Sequence, residues 1–422
     1  MPRYTHFGER YTRTTGAVEL MSDLGDAAAA AAHGPVYLLG GGNPARIPAV
    51  EAVYRRRLAE IAADTTQFGR FAGAYTEPSG HPACRAAIAE VLQAEYGWPL
   101  EARNVALTAG SQSAFYVLFN LFAGRGADGA RQRVLLPLAP EYIGYSGLNM
   151  QDDLVVAHPA VLEELPDGMF KYRLDFEQLQ VPDDVGAICV SRPTNPSGNV
   201  LATAELERLD LLARRHRVPL IVDAAYGKPF PGIEFTDSAA FWNDNVVLCL
   251  SLSKLGLPGV RTGIVVAHES IIEAITAFNA TAALAPPGTG AEIVAPLLAS
   301  GELLALCNEV VRPFYRARCA FALDVLRETF AGLPLRIHVP EGAFFLWLWF
   351  QDLPITSAEL YRRLKRRGVY VISGHHFFPG LDRDWRHRDE CVRINYAQEP
   401  EMVREGIRLL AAEVARAYGE RD

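Results

Sequence analysis

One lysine of the chain occupies a place where it could act as an amine nucleophile. Lys254 follows an apolar run at residues 246–250 and precedes a glycine-rich turn at residues 255–259. A lysine packed between a buried strand and such a turn loses hydration, which lowers its pKa and allows the neutral amine to attack a carbonyl carbon. This placement predicts a Schiff base at Lys254. The alternative is a lysine whose ammonium group merely reaches water at a strand end.

A carboxylate ends a second apolar run. Asp223 closes residues 219–223, and ligands of open α/β sheets bind at the carboxyl edge of the strands. A buried aspartate needs a cation or several hydrogen-bond donors beside it. The protonated pyridine nitrogen of pyridoxal phosphate is such a cation, and the pair would keep the ring electron-withdrawing. The alternative is that Asp223 caps the next helix, which would make the nearby Tyr226 a coincidence.

An asparagine with a restricted backbone follows a third run. Asn195 lies between Pro193 and Pro196, and these prolines fix the backbone on either side, so the amide has one defined direction. An amide that points at a phenolate oxygen would donate a hydrogen bond to its charged form and tune the protonation of the ring. The alternative is an ordinary turn asparagine.

A phosphate site is predicted where a strand at residues 104–108 runs into a helix at residues 113–122. The residues at this junction are Gly110, Ser111 and Gln112. The free N–H groups and the dipole of a helix start favour an anion, although many such starts are only N-caps. Ser251, Ser253 and Arg261 add hydroxyl groups and a forked cation to the same expected edge.

Two further side chains have a functional and a structural interpretation. Tyr142 follows the strand that ends at residue 137 and could stack on a cofactor ring, or it could pack in the core. Arg393 lies in the apolar alternation of residues 391–396. A buried guanidinium group demands a carboxylate or a comparable partner, which could be a substrate or a structural ion pair.

The elements that must position these residues alternate between strands and helices, which predicts an α/β fold. Strands are predicted at residues 104–108, 133–137, 186–190, 219–223, 246–250 and 263–267, and helices at residues 113–122, 203–216 and 270–280. Unalternated apolar runs such as residues 220–222 favour a mostly parallel sheet covered on both faces.

A second, smaller α/β domain is predicted from the C-terminal part of the chain. Its elements are a helical stretch at residues 302–330, two β runs at residues 344–349 and 369–372, and a last helix at residues 400–417. The predicted division is a large domain at residues 46–300 and a small domain formed by residues 1–45 and 301–422.

Composition excludes several classes of function. The 422 residues include 41 Lys and Arg against 49 Asp and Glu, a net charge of −8 with no basic stripe, so a nucleic-acid partner is not expected. We find no apolar run of the about 18 residues that a membrane span needs. The six cysteines form no C-x-x-C pair, which favours reduced thiols and a cytoplasmic location.

Competing enzyme and binding classes find less support. The loop at residues 40–44 does not give the G-x-G-x-x-G pattern of a nicotinamide dehydrogenase. His375 and His376 are adjacent, so on a strand they would point apart, and no metal site is expected. An aminotransferase-like domain of a transcription regulator would need a DNA-binding extension, for which the about 45 residues before the large domain leave no room.

Taken in chain order, these motifs resemble those of the fold type I aminotransferases, which use pyridoxal phosphate. The residues that carry the resemblance are Tyr75 with Gly80, Gly110-Ser111-Gln112, Tyr142, Asn195-Pro196-x-Gly198, Asp223-x-x-Tyr226, Ser251-x-Ser253-Lys254, Arg261-x-Gly263 and Arg393. Within the family, the segments most similar to the valine–pyruvate subfamily are residues 39–44, 137–145, 192–196, 251–259 and 344–350. The resemblance implies a large domain with a mostly parallel central sheet and a smaller α/β domain.

The resemblance also implies a role for each motif. The implied catalytic residues are Lys254, Asp223 and Tyr226. The implied cofactor-binding residues are Lys254, Asp223, Asn195, Tyr226, Tyr142, Gly110, Ser111, Gln112, Ser251, Ser253, Arg261 and Tyr75, the last from the other subunit of a homodimer with active sites at the subunit interface. The implied substrate-binding residues are Arg393, Gly41, Gly42 and Asn195.

The implied reaction is a ping-pong transfer of an amino group through a Schiff base, between a small aliphatic amino acid of the valine or alanine type and a 2-oxo acid such as pyruvate. The segments expected near the substrate side chain supply no obvious second cation, which favours aliphatic substrates unless Arg46, Arg70 or Arg383 folds into the pocket. The alternative is another pyridoxal phosphate reaction, such as elimination, cyclisation or oxidation, in a specialised biosynthetic pathway.

Overall fold

A computed structural model describes residues 3–12, 16–30 and 34–419. Its strands are β1 (Tyr37–Leu38), β2 (Val105–Thr108), β3 (Gly124–Arg125), β4 (Arg131–Ala139), β5 (Val155–Pro159), β6 (Val161–Glu164), β7 (Met169–Arg173), β8 (Val185–Ser191), β9 (Leu220–Asp223), β10 (Val246–Ser251), β11 (Gly263–Val266), β12 (Leu335–His338), β13 (Phe345–Phe350), β14 (Val369–Tyr370), β15 (Ile372–Ser373) and β16 (Cys391–Asn395). Its α-helices are α1 (His6–Arg10), α2 (Gly16–Ala30), α3 (Pro48–Ala63), α4 (Thr65–Phe68), α5 (Pro82–Tyr96), α6 (Ser111–Phe122), α7 (Thr203–His216), α8 (Glu269–Ala283), α9 (Thr289–Ala299), α10 (Glu302–Leu306), α11 (Arg312–Thr329), α12 (Ser357–Lys365) and α13 (Pro400–Gly419).

The central sheet is mixed and mostly parallel, as the sequence predicts. Its strands follow the order β2-β11-β10-β9-β8-β4, and both β5 and β3 pair with β4. Strands β10, β9, β8, β4 and β5 run parallel to one another, whereas β11 is antiparallel to both β10 and β2 and β3 is antiparallel to β4. Every residue of β8, β9 and β10 is buried, which explains why these strands read as unbroken apolar runs.

A second sheet of six strands has the order β15-β16-β13-β12-β7-β6. Its C-terminal strands include the predicted β run at residues 344–349 and the end of the one at residues 369–372. The hairpin β6–β7 comes from residues 161–173, for which the sequence predicted no strand. Strand β7 pairs in parallel with β12, so this hairpin extends the C-terminal sheet. The division of the chain at residues 46 and 300 stays a prediction.

Two predicted elements differ from the observed ones. The β run at residues 369–372 splits, because β14 pairs with β1 of the N-terminal segment while β15 pairs with β16. The helical stretch at residues 302–330 contains a π-helical turn at Cys307–Val311 between α10 and α11. Pro313 follows this turn and lacks the N–H that a regular helical ladder would need there.

The prediction that His375 and His376 point apart is wrong. They lie in a 3₁₀ turn, Gly374–Phe377, where side chains do not alternate between faces, and their ring centroids are 3.9 Å apart. His376 Nε2 lies 3.3 Å from Glu19 Oε2 of helix α2. Within residues 3–12, 16–30 and 34–419, no group of three or more His, Cys, Asp or Glu side chains could hold a metal ion.

Residues 27–32 are six consecutive alanines, of which the first four form the end of helix α2 and the last two lie outside the described residues. Across the part of the chain that the structure describes, no single helix is long and apolar enough to cross a membrane. One bent pair, Thr289–Ala299 with Glu302–Thr329, meets the length and composition criteria together.

Candidate active site

The carboxyl ends of three neighbouring strands bring the predicted residues together. Ser191 at the end of β8 pairs in register with Asp223 at the end of β9, and Asp223 pairs with Cys249 of β10. Lys254 follows β10 after two residues of a tight turn. Because parallel strands end at one edge, residues that are far apart in the sequence lie side by side here.

The amine of Lys254 is enclosed by backbone and aromatic rings. Its Nζ donates a hydrogen bond to the Gly42 carbonyl oxygen at 2.9 Å. It also lies 5.3 Å from the ring centroid of Tyr226 and 5.7 Å from that of Phe344. Burial lowers the pKa of Lys254 to about 8, and the positive charge of Arg393 acts in the same direction.

Asp223 is a buried carboxylate that already holds two donors. Its Oδ1 accepts the backbone N–H of Ala225 at 3.0 Å and its Oδ2 accepts the Tyr145 hydroxyl at 2.9 Å. Burial raises the pKa of Asp223 to about 6, while these donors and the charge of Lys254 oppose the rise. A carboxylate in this position favours a cationic partner at the strand edge.

Tyr145 is a site residue that the sequence reasoning missed. Only Tyr142 was assigned a role in that segment, although Tyr145 follows it by three residues. The 3₁₀ turn Ile143–Tyr145 places the two rings edge to face, with centroids 5.3 Å apart and an interplanar angle of 88°. Gly144 permits this packing, because a Cβ there would lie 2.2 Å from the Tyr142 ring. The signal in the sequence that could have identified Tyr145 is its position three residues after Tyr142, within one turn.

Arg393 reaches the site from the second sheet. Its Nη1 donates to Asn195 Oδ1 and its Nη2 donates to the Gly40 carbonyl oxygen, both at 2.6 Å. Its guanidinium carbon lies 4.1 Å from the ring centroid of Phe345. The buried Nε has no hydrogen-bond partner among the described residues. Burial lowers the pKa of Arg393 to about 10, so the group remains a cation at neutral pH.

The glycine loop at residues 40–43 lies between Lys254 and strand β16. Asn395 Nδ2 donates to the Gly41 carbonyl oxygen at 2.6 Å, while Gly42 accepts the Lys254 hydrogen bond. A Cβ at Gly40 would meet the Val371 carbonyl oxygen at 2.9 Å. The loop therefore joins the Lys254 amine to the strand that carries Arg393.

Gly110 and Arg261 form the centre of a polar cradle at the start of α6. Gly110 has a φ of +90°, and a Cβ there would lie 2.2 Å from Arg261 Nη2, so glycine allows the guanidinium to approach the helix start. Arg261 Nη1 lies 3.4 Å from Ser253 Oγ, and Ser251 Oγ accepts the Ser253 N–H at 3.1 Å. Together with Ser111, which begins α6, these groups fit a phosphate.

The three remaining predicted residues, Gln112, Tyr226 and Tyr75, differ in their surroundings. Gln112 Nε2 donates to the Gly144 carbonyl oxygen at 2.8 Å, beside the Tyr142 turn. Tyr226 is buried, and its ring packs edge to face against Phe344, with centroids 5.2 Å apart. Tyr75 is 81% exposed and does not join the residues around Lys254 in the same chain.

Tyr75 lies along a groove of about 850 Å³ on the outer surface. The groove contains a charged cluster in which Arg70 Nη2 lies 3.0 Å from Glu292 Oε1 and His81 Nε2 lies 2.8 Å from Glu292 Oε2. Phe68, the residue that ends α4, is also largely exposed.

The fold and the site together define an α/β protein in which a lysine with a lowered pKa lies at the carboxyl edge of a mostly parallel sheet. Residues 48–410 match the family model of aminotransferase class I and II, and the chain belongs to this family. It is an aminotransferase, and the expected fold type I architecture is confirmed.

Relatives of high similarity extend over nearly the whole chain. The chain is 47% identical over 420 residues to the valine–pyruvate aminotransferase of Escherichia coli K12, covering 99% of both chains. A putative amino-acid aminotransferase from Psychrobacter arcticum 273-4 superposes with a TM-score of 0.96 at 41% identity, covering 99% of this chain and 100% of that one. A valine–pyruvate aminotransferase from Salmonella typhimurium LT2 gives 0.88 at 46% identity, covering 96% and 100%.

Proposed function

We propose that this aminotransferase uses pyridoxal phosphate to move an amino group between a small aliphatic amino acid, of the alanine or valine type, and a 2-oxo acid such as pyruvate. The observation that carries the proposal is the Lys254 amine, whose pKa of about 8 and position beside Asp223 and Arg393 suit reaction with a carbonyl group. The 47% identity to a protein named valine–pyruvate aminotransferase supports the substrate class.

Pyridoxal phosphate, when bound, supplies a cationic ring that withdraws electrons from the α-carbon of an amino acid. The groups of this chain that would hold it are the cradle around Arg261 for the phosphate, Asp223 for the pyridine nitrogen and Tyr142 for the ring face. Asn195 and Tyr226 would face the ring oxygen. A phosphate and a pyridinium each match a group of opposite charge already present at this edge.

Lys254 is the residue that moves a proton. An amine with a pKa of about 8 is partly neutral near pH 7.5, so its Nζ can accept the proton of the substrate α-carbon and return it elsewhere. The Gly42 carbonyl oxygen and the neighbouring rings confine the amine to this part of the site. Its enclosure also limits competition from water.

Arg393 is the residue that selects α-carboxylates. Its guanidinium is buried and held at two corners by Asn195 and Gly40, with Nε without a partner among the described residues. A guanidinium binds a carboxylate with two parallel hydrogen bonds, so amino acids and 2-oxo acids should bind better than simple amines or aldehydes.

The surroundings of the site favour an aliphatic side chain. The three arginines considered as a second cation are paired or exposed: Arg70 pairs with Glu292, and Arg383 is exposed. Arg46 lines the same cavity as Lys254, and its charge is paired with Glu51 at 2.6 Å. A distal carboxylate would therefore lose its hydration without gaining an unpaired cation from these three arginines.

The functional unit in this proposal is a homodimer. Exposed Tyr75 lines the groove of about 850 Å³, and Phe68, which follows the lining residue Gln67 in the sequence, is also exposed. Exposed aromatic side chains of this kind favour burial against another surface. Tyr75 of one subunit would then reach the phosphate cradle of the other. A cytoplasmic location completes the proposal, since all six cysteines are free and buried.

The experiment that tests the proposal is an absorption spectrum of the purified protein during titration with alanine, valine and simple amines. We expect a visible band from the bound cofactor that changes on adding alanine or valine and returns on adding pyruvate. A protein that retains no cofactor, or whose band responds equally to simple amines, would contradict the proposal.

A further inference from the structure

Glu141 is a fully buried carboxyl group at the centre of the site, and no motif drew attention to it. It accepts hydrogen bonds from the Ser191 N–H at 2.8 Å, from the Ser191 hydroxyl and from the Tyr142 N–H at 3.2 Å. None of these donors carries a formal charge. A carboxyl group buried in this way is costly, so its retention calls for a functional explanation.

The contacts of Glu141 complete a closed ring of hydrogen bonds and strand pairing, here called the circuit, which consists of Glu141, Tyr142, Tyr145, Asp223 and Ser191. Tyr142 is tied to Tyr145, whose backbone N–H donates to the Tyr142 carbonyl oxygen at 3.0 Å. The Tyr145 hydroxyl binds Asp223, and Asp223 pairs in register with Ser191. Ser191 then returns to Glu141 through two hydrogen bonds. The Tyr142 backbone is therefore linked to Asp223 along two paths, one through Tyr145 and one through Glu141 and Ser191, and the Tyr142 ring packs edge to face on Tyr145.

The circuit also extends to the second sheet. The backbone N–H of Glu141 donates to the Phe377 carbonyl oxygen at 2.8 Å. The ring of Phe377 lies 5.1 Å from the guanidinium carbon of Arg393. Glu141 thus contacts segments from both sheets at the point where the residues proposed for the cofactor meet the residue proposed for the substrate carboxylate.

Resting on the proposed function, we propose that Glu141 is a positioning residue, whose carboxyl group fixes the orientation of Tyr142 relative to Asp223 and thereby the cofactor ring between them. It acts through these neighbours and does not touch the reacting atoms. Burial raises the pKa of Glu141 to about 8, so the group is mostly protonated at neutral pH and adds little charge beside Asp223.

The test compares Glu141→Leu with Glu141→Gln in the holoenzyme. Leucine removes both acceptors and leaves the buried N–H groups of Ser191 and Tyr142 without a partner, whereas glutamine keeps one acceptor oxygen, which can serve one of the two N–H groups. We expect Glu141→Leu to change the circular dichroism of the bound pyridoxal phosphate and to lower kcat about tenfold, while Glu141→Gln stays closer to the parent than to Glu141→Leu.

A matched control separates positioning from loss of stability. Asp210 is also buried in the large sheet's helical layer and accepts hydrogen bonds from Asn243 and Asn245, remote from the circuit. Asp210→Ala should lower Tm and leave the circular dichroism of the cofactor unchanged. An equal spectral change in Asp210→Ala would overturn the positioning role, because destabilisation alone would then explain the result.

Two further outcomes would also overturn it: a parent-like spectrum and kcat in Glu141→Leu, or equal impairment in Glu141→Gln and Glu141→Leu. If Glu141→Leu does not fold, Ser191→Ala decides, since it removes only the hydroxyl bond and should change the spectrum in the same direction by less. A parent-like Ser191→Ala would then contradict the proposal. If the proposed function itself is wrong, the parent protein will lack the cofactor absorption band. That result differs from every outcome above, because each of them requires a parent that shows the band.

Discussion

The guanidinium of Arg393 donates from Nη1 to the side-chain oxygen of Asn195 at 2.6 Å, although 198 positions separate the two residues. Arg393 belongs to β16 of the second sheet and Asn195 follows β8 of the central sheet. A single hydrogen bond therefore joins the residue proposed for the substrate carboxylate to one proposed for the cofactor ring. Movement of one sheet relative to the other would therefore change the proposed contact of Arg393 with the substrate carboxylate and that of Asn195 with the cofactor ring together.

Removal of the amine should abolish turnover. We expect Lys254→Ala to lose all measurable transamination, because no other amine lies beside Asp223 and Arg393 within the described residues. Cofactor should still bind through the cradle around Arg261. The measurement is the rate of pyruvate-dependent transamination, and a rate within tenfold of the parent would show that Lys254 has been misassigned.

The cofactor-free protein should capture pyridoxal phosphate faster as pH rises. Only the neutral amine of Lys254 attacks an aldehyde, and its pKa is about 8. The rate should therefore fall about tenfold for each pH unit below that value and level off above it. Stopped-flow absorbance between pH 6 and 9.5 measures it. A rate that keeps rising toward the ordinary lysine pKa of about 10.4 would contradict the lowered pKa.

Loss of the buried carboxylate should weaken the electron sink. We expect Asp223→Ala to lower kcat roughly 10²-fold, as for loss of a charge-assisted hydrogen bond worth about 3 kcal/mol. Circular dichroism of the backbone serves as the folding control. A parent-like kcat in a folded variant would mean that another acid faces the ring nitrogen.

A milder effect is expected when only the donor to that carboxylate is removed. Tyr145→Phe deletes the hydroxyl that binds Asp223 Oδ2 and holds the Asp223 pKa down, so this pKa should rise above about 6. The fraction of ionised Asp223 then falls at the acid side, and the acid limb of the kcat profile should move to higher pH. A kcat that drops equally at every pH would argue against this effect.

Substrate preference should follow side-chain polarity. With pyruvate as acceptor, alanine and valine should give a higher kcat/KM than aspartate or glutamate, because Arg46, Arg70 and Arg383 are paired or exposed and none is free to meet a distal carboxylate. The measurement is a panel of amino donors under matched conditions. A kcat/KM for glutamate or aspartate at least tenfold above that for alanine and valine would refute the aliphatic preference and leave the cofactor chemistry intact.

The sequence by itself determined the central sheet and the residues at its carboxyl edge. Apolar runs end at Asp223 and shortly before Lys254 and Asn195, and parallel strands buried on both faces appear in a sequence as near-continuous apolar runs. Because such strands end at one edge, the adjacency of these side chains followed from local signals alone. The start of the helix after Gly110 could also be predicted from the sequence.

Only the tertiary structure decided the remainder. The hairpin β6–β7 carries charged residues on a sheet edge, so its alternation is weak, and its pairing with β12 spans more than 160 positions. The burial of Glu141 and the bond from Tyr145 to Asp223 depend on which side chains meet after folding. The sequence does not indicate whether a polar or aromatic side chain in a turn will contact water or a buried carboxylate. Hydrophobic periodicity indicates which face of an element is buried, and it does not indicate which side chains meet there.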